Sequence, residues 1–315
     1  MRQFFWLLQD DLSLAVAEVL ALAKPTQALQ LGHLLIIDAK ETDFHKRIAW
    51  SHATYEFLFS CSATELYTAM AGFDWQKHYK SSFKLVVHDV QMDIPKLAGF
   101  IWRSLKNPKV DLDKPKTRFE IFFVGNRVVV GKRIVKIDAK PFLARRPHLR
   151  KANHPSGMQP RLARALVNLV GATKGTIVDP FCGAGGFLIE AGLMGFKMVG
   201  TDIDPAMIYR AKKNLAQLKL KASLKVADAT KMKTKSDYFV TDLPYGLNTK
   251  GKALPKLYLA FLKRLKLCMK KRAIVVFPDF IDYPALLKKA KLKTVEEFSQ
   301  RVHASLTRKI VVLEK

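Results

Sequence analysis

Acidic side chains are scarce in this chain: 27 Asp and Glu stand against 54 Lys and Arg, a net charge of +27 over 315 residues. Self-repulsion of that size opposes compaction, and a polyanion such as nucleic acid relieves it. A generally lysine-rich, thermophile-like surface is the plainer reading of the same numbers. Cysteine is scarcer still. Cys61, Cys182 and Cys268 lie far apart, with no CxxC and no His-x-x-His, so neither a zinc knuckle nor a disulfide framework is indicated, and no metal site is expected. Long uncharged apolar runs are lacking too. The opening stretch 1–8 mimics a signal peptide until Asp10 and Asp11 cut it short, and nothing reaches the ~18 residues of a membrane span. A reducing cytoplasm without membrane association is the expected setting.

What the chain has in quantity is apolar and aromatic surface, 49% and 10% of its residues, and its length predicts two domains. In the first half, strands are expected over 3–8, 33–37 and 82–87, and helices over 13–22, 47–61 and 95–105. Two β-rich runs around Gly125-Asn126 read as a hairpin. The basic stretch 143–151, which contains Arg145, Arg146, Arg150 and Lys151, lacks periodicity and is expected as a linker, either solvated or touching phosphate. It separates residues 1–150 from 151–315.

Beyond it, strands at 176–181, 197–202, 223–227, 238–241 and 272–277 alternate with helices at 186–194, 205–218, 254–269 and 283–290. Strands at 293–298 and 308–313 then follow one another directly. This is an α/β pattern, a doubly wound and mostly parallel sheet whose closing hairpin adds an antiparallel strand.

Four strand ends carry the chemistry. Val178-Asp179-Pro180-Phe181-Cys182-Gly183-Ala184-Gly185-Gly186 forms the first strand-to-helix turn, where glycines let backbone approach a ligand; Leu188 stands where a dinucleotide fingerprint needs its third small residue. Gly200-Thr201-Asp202-Ile203-Asp204 ends the next strand with an acid suited to both ribose hydroxyls. Ala227-Asp228-Ala229 ends the third with one suited to an adenine amino group. Together they describe an adenosine pocket, although each Asp is also a favoured helix cap. The fourth strand ends in Thr241-Asp242-Leu243-Pro244-Tyr245-Gly246.

In combination these residues resemble the class I S-adenosylmethionine-dependent methyltransferases, and Asp242-Leu243-Pro244-Tyr245 is similar to the (D/N)PPY motif of those that methylate amino groups. The resemblance implies a Rossmann-like, mixed seven-stranded sheet. It implies S-adenosyl-L-methionine as cofactor, held by Asp179, Pro180, Phe181, Cys182, Gly183, Gly185, Thr201, Asp202, Ile203, Asp228 and Ala229. An exocyclic base amine is a poor nucleophile because its lone pair is delocalised into the ring. The Asp242 carboxylate and the carbonyl of residue 243 would hold its two N–H bonds, and Tyr245 would stack on a flipped or single-stranded base. Leu243 replaces the first proline of the motif but still supplies a carbonyl, and Pro244 biases it toward extended geometry. Cys182 lies far from Pro244, which argues against carbon-5 pyrimidine chemistry.

Segments 111–117, 150–165 and 302–308 extend the resemblance to archaeal and eukaryotic tRNA (guanine-10-N2) methyltransferases. That family implies a ferredoxin-like part and a THUMP domain gripping tRNA within residues 1–150. It also brings phosphate contacts from Arg145, Arg146, Arg150 and Lys151, and as a candidate partner the small zinc-binding activator of eukaryotic relatives. Guanine N2 at another tRNA or ribosomal position, adenine N6 of DNA, and a non-enzymatic RNA-binding role are the alternatives. The THUMP-like half favours RNA; the intact Asp242, Pro244 and Tyr245 favour an enzyme.

Overall fold

The computed structural model describes residues 1–39, 43–154, 157–246, 253–303 and 306–315. Parts of the segments 150–165 and 302–308 fall outside them, at 155–156 and 304–305. Two compact units divide the chain: Met1–Leu12, Ala23–Lys46 and Ser51–Ile137 form the first, and Ser13–Leu22, Arg47–Trp50 and Asp138–Lys315 the second.

The first unit holds strands β1 (Arg2–Leu7), β2 (Gln27–Leu31), β3 (Leu34–Asp38), β4 (Ser51–Ser62), β5 (Phe83–His88), β6 (Thr117–Val124) and β7 (Arg127–Lys136). They form one sheet in the order β2-β3-β1-β4-β7-β6-β5. The first helix of the chain, α1 (Leu12–Ala23), lies almost wholly in the second unit; α2 (Leu66–Gly72) and α3 (Ile94–Ser104) belong to the first. Leu66, Met70, Leu97 and Ile101 of these two helices pack on Phe83, Leu85, Phe119 and Ile121 of the sheet. The expected hairpin is present, with Val124 paired to Arg127 and Gly125 at φ +58°. The helix expected over 47–61 is not: β4 occupies most of it, held between β1 and β7.

The second unit holds β8 (Thr176–Asp179), β9 (Lys197–Asp202), β10 (Ser223–Val226), β11 (Ser236–Asp242), β12 (Met269–Pro278), β13 (Lys293–His303) and β14 (Leu306–Glu314). Their order is β10-β9-β8-β11-β12-β14-β13. The strands from β10 to β12 pair in parallel, and β14 runs antiparallel to β12 and β13, so this is the doubly wound sheet with its closing hairpin. Its further helices are α4 (Lys140–Ala144), α5 (Pro160–Asn168), α6 (Gly186–Leu193), α7 (Pro205–Gln217), α8 (Leu254–Cys268) and α9 (Tyr283–Ala290). A core of Phe239, Tyr258, Phe261, Val275, Phe277 and Val311 joins the central strands to α8. Successive strands are laid down first on one side of β8 and then on the other. The switch between β8 and β11 opens a crevice at their carboxyl ends, where ligands of such sheets bind.

The second unit is discontinuous for a local reason. Glu18 of α1 is fully buried; it accepts the Ala49 N–H at 2.9 Å, the Trp50 N–H at 2.7 Å and the Asn168 amide at 2.7 Å. Among the described residues no helix is long and apolar enough to cross a membrane.

Candidate active site

β8 ends on Asp179, which is buried, accepts the Thr241 hydroxyl at 2.7 Å and receives the Phe181 N–H at 3.2 Å. Burial pushes its carboxyl up to about 8, against the pull of those two hydrogen bonds and with a push from Asp202 and Asp242. Asp179 therefore braces β8 against β11. In the turn that follows, Gly183 and Gly185 take the left-handed conformation at φ +48° and +86°, which a side chain would strain. The Gly183 N–H donates to Asp202 at 2.9 Å, and the space where its Cβ would stand is open. Phe181 sits edge-to-face on Phe261, with centroids 5.0 Å apart. Cys182 is buried and its thiol is pushed up by burial, which suits packing rather than nucleophilic chemistry. The Thr201 hydroxyl ties the next strand end to this turn by donating to the Pro180 carbonyl at 3.3 Å.

Asp202 closes β9, and its second oxygen accepts the Asp204 N–H at 3.0 Å, which leaves the carboxylate oriented and partly exposed. Beside it Ile203 is 70% exposed, an uncovered apolar side chain at a strand end. After β10, Asp228 accepts the hydroxyl and N–H of Thr230 at 2.7 and 2.8 Å, and these bonds hold its carboxyl below the usual range. The adjoining Ala229 is buried. Glycines that admit close backbone approach, two carboxylates and an exposed apolar plate are a donor set that fits an adenosine. Among the described residues no cluster suits a metal ion.

β11 ends on Asp242. Its carboxylate accepts the Tyr245 hydroxyl and lies 3.7 Å from the Arg308 Nε, which itself donates to that hydroxyl at 3.1 Å. Burial pushes the Asp242 carboxyl up to about 6, while Arg308 and Tyr245 hold it back. The Pro244 carbonyl accepts the Tyr258 hydroxyl at 2.5 Å, which pins the turn to α8, and Gly246 follows at φ +83°. Leu243 is buried in the core; its N–H donates to the Val276 carbonyl at 3.1 Å. Asp242 pairs with Val276 in the parallel register, so the next donor toward the Leu243 carbonyl would be residue 278, which is a proline.

Sequence reasoning missed Arg308 as a site residue. In the sequence its segment stands out only for family likeness, and 63 residues separate it from Tyr245. The reading of the basic stretch needs correction at two positions. Arg145 grips the fully buried Glu190 with Nε at 2.9 Å and Nη2 at 3.1 Å, while Arg164 reaches the same carboxylate at 3.0 Å. Arg150 is buried and donates to the Arg145 carbonyl at 3.0 Å. Arg145 is not offered to phosphate, because a buried carboxylate satisfies it inside the unit; Arg150 is withdrawn from solvent by burial, and its Nη2 meets no hydrogen-bond partner among the described residues. Arg146 and Lys151 are exposed. The stretch itself is structured by the end of α4 and a short 3-10 turn over Pro147–Leu149.

Comparison with known proteins agrees with this arrangement. Residues 147–310 match the family described as "RMKL-like, methyltransferase domain". The chain is 33% identical to the tRNA (guanine(10)-N2)-dimethyltransferase of Methanothermobacter thermautotrophicus, over 89% of this chain and 88% of that one. It is 32% identical to the protein of the same name from Pyrococcus abyssi, over 96% of each. Among solved structures, TrmN from Thermus thermophilus superposes with a TM-score of 0.54 at 20% identity over the whole of both chains, a likeness of fold. The strand order, the glycine turn and the Asp242–Tyr245 turn thus sit in a chain that belongs to the RMKL-like methyltransferase-domain family and, along most of its length, to the tRNA (guanine(10)-N2)-dimethyltransferases.

Proposed function

We propose that this chain is a tRNA methyltransferase that moves methyl groups from S-adenosylmethionine to the exocyclic N2 amine of guanine 10, adding one and then a second. The observation that carries the reading is Asp242-Leu243-Pro244-Tyr245 at the switch point of the sheet, in a chain a third identical to relatives named for that reaction. The cofactor, when bound, supplies a methyl group already activated on a sulfonium. Asp202 would take the ribose hydroxyls, Asp228 the adenine amino group and Ile203 the adenine face, while Gly183 leaves room for the cofactor and Gly185 lets the turn pack against Ala211 of α7.

The Asp242 carboxylate and the Leu243 carbonyl would accept the two amine N–H bonds, so that the nitrogen lone pair points at the methyl carbon. As the new N–C bond formed, the S–CH3 bond of the sulfonium would break and leave a neutral thioether, and the Asp242 carboxylate would take the proton of the cationic amine. The Tyr245 ring would stack on the splayed guanine. Residues 1–150 would grip the tRNA, as a ferredoxin-like part and a THUMP domain; the +27 charge supports that, and exposed Arg146 and Lys151 are suited to phosphate. Cytoplasmic location and a small zinc-binding activator belong to the proposal through family resemblance alone.

Nucleoside mass spectrometry of tRNA incubated with the chain and methyl-labelled cofactor tests this. The expected products are N2-methylguanosine and N2,N2-dimethylguanosine at position 10, and none on tRNA carrying inosine there. Label on adenine N6, on another guanine, or on the inosine tRNA overturns the assignment.

A further inference from the structure

Arg308 is 7% exposed and lies on β14 opposite Pro278, within reach of both reactive side chains of the Asp242 turn. Its Nε donates to the Tyr245 hydroxyl at 3.1 Å and stands 3.7 Å from Asp242 Oδ2, and one Nη reaches Gln300 Oε1 at 3.5 Å. The Tyr245 hydroxyl donates to Asp242 in turn, so the three side chains form a closed cluster. Asp242 in turn pushes up the Tyr258 hydroxyl of α8 and the Asp179 carboxyl of β8, and neither of these carries positive charge. Among the described residues that bear on this carboxylate, the positive charge is that of Arg308.

We propose that Arg308 is a positioning residue for methyl transfer: its guanidinium keeps Asp242 in the carboxylate form that accepts the amine N–H, and fixes the Tyr245 ring beside it. The inference rests on the reading of Asp242 as the amine acceptor. A merely structural role explains the placement less well. A buried ion pair is often replaceable by apolar side chains without loss of stability, so its presence at the reacting carboxylate points to the reaction. An acceptor must be ionised to take both its hydrogen bonds without offering one, and burial works against ionisation of Asp242. A guanidinium cannot lose its proton in the working range, and here its Nε lies against both the phenol and the carboxylate while an Nη reaches Gln300, which holds the group in place. Lysine would provide the charge without the second nitrogen that reaches Gln300.

The test is turnover on tRNA from pH 5 to 9 for the full-length chain, Arg308→Met and Arg308→Lys, with cofactor affinity by calorimetry and thermal midpoints for each. The wild type should lose activity as pH falls through about 6, where Asp242 gains its proton. Without the cation that limb should move up by about one pH unit or more in Arg308→Met, lowering turnover about tenfold on the acid side while cofactor affinity stays put. Arg308→Lys should keep the limb but lower the plateau several-fold. A limb in Arg308→Met that superposes on the wild type overturns the proposal. Should that variant not fold, Arg308→Lys decides: a lowered plateau on an unmoved limb supports it, and a wild-type plateau overturns it. A wild-type chain that methylates no guanine N2 removes both this role and the function beneath it.

Discussion

Leu243 gives its N–H to the carbonyl of Val276 at 3.1 Å, and the residue that would answer on the same ladder, Pro278, has no N–H to give. A strand end that would normally be satisfied by its neighbour therefore has an acceptor to spare at the mouth of the crevice, beside Asp242. Pro278→Ala supplies the missing donor. Turnover should fall about three- to tenfold, the range of one competing hydrogen bond, with thermal stability unchanged or raised. Undiminished turnover at equal cofactor affinity would separate the Leu243 carbonyl from the reaction.

Leu243→Pro restores the family's motif, yet this chain should not welcome it. The change removes the N–H that bonds Val276 and empties a buried leucine site, a cost of about 1–3 kcal/mol. A thermal midpoint lowered by several degrees is the expected result; an unchanged midpoint would mean that the core closes around the proline.

Asp179 couples stability to pH. Its folded-state carboxyl, raised by burial to about 8 from an ordinary 3.8, binds its proton more tightly than in the unfolded chain. Its contribution is thus present in acid and declines as pH rises from about 4 to about 8. Asp179→Asn, whose amide oxygen still accepts from Thr241 and Phe181, should gain on the wild type steadily between pH 5 and 8. A gap in thermal midpoints that ignores pH across that range would rule the shift out.

Glu190→Leu should destabilise strongly. It leaves Arg145 and Arg164, whose side chains are 12% and 14% exposed, without their shared carboxylate, a loss of about 3–5 kcal/mol. Denaturant unfolding measures it. A loss below about 1 kcal/mol would show these arginines finding water or other partners, and would return Arg145 to the candidates for RNA contact.

Local pattern made most of the second unit legible. The strands and helices between 176 and 313 alternate as apolar runs and amphipathic stretches bounded by turn residues, and the glycine turn and the Asp242 turn are contiguous residues whose chemistry survives without knowledge of neighbours. β4 escaped for an equally local reason. Its register shifts between Phe57 and Phe59, and the bulge sets Phe57, Leu58 and Phe59 in a row, which breaks the period of two that marks a strand.

By itself, then, the sequence determined the α/β class and the switch-point turns, and it named the residues proposed to grip the amine, because those properties depend on neighbours along the chain. Tertiary structure decided which charges face inward. Glu190 lies 45 residues from Arg145, and Arg308 lies 63 from Tyr245. An arginine in a basic run reads the same whether it meets phosphate or a buried carboxylate; the difference is made by what the fold brings within 3 Å of it, and by the water that burial removes.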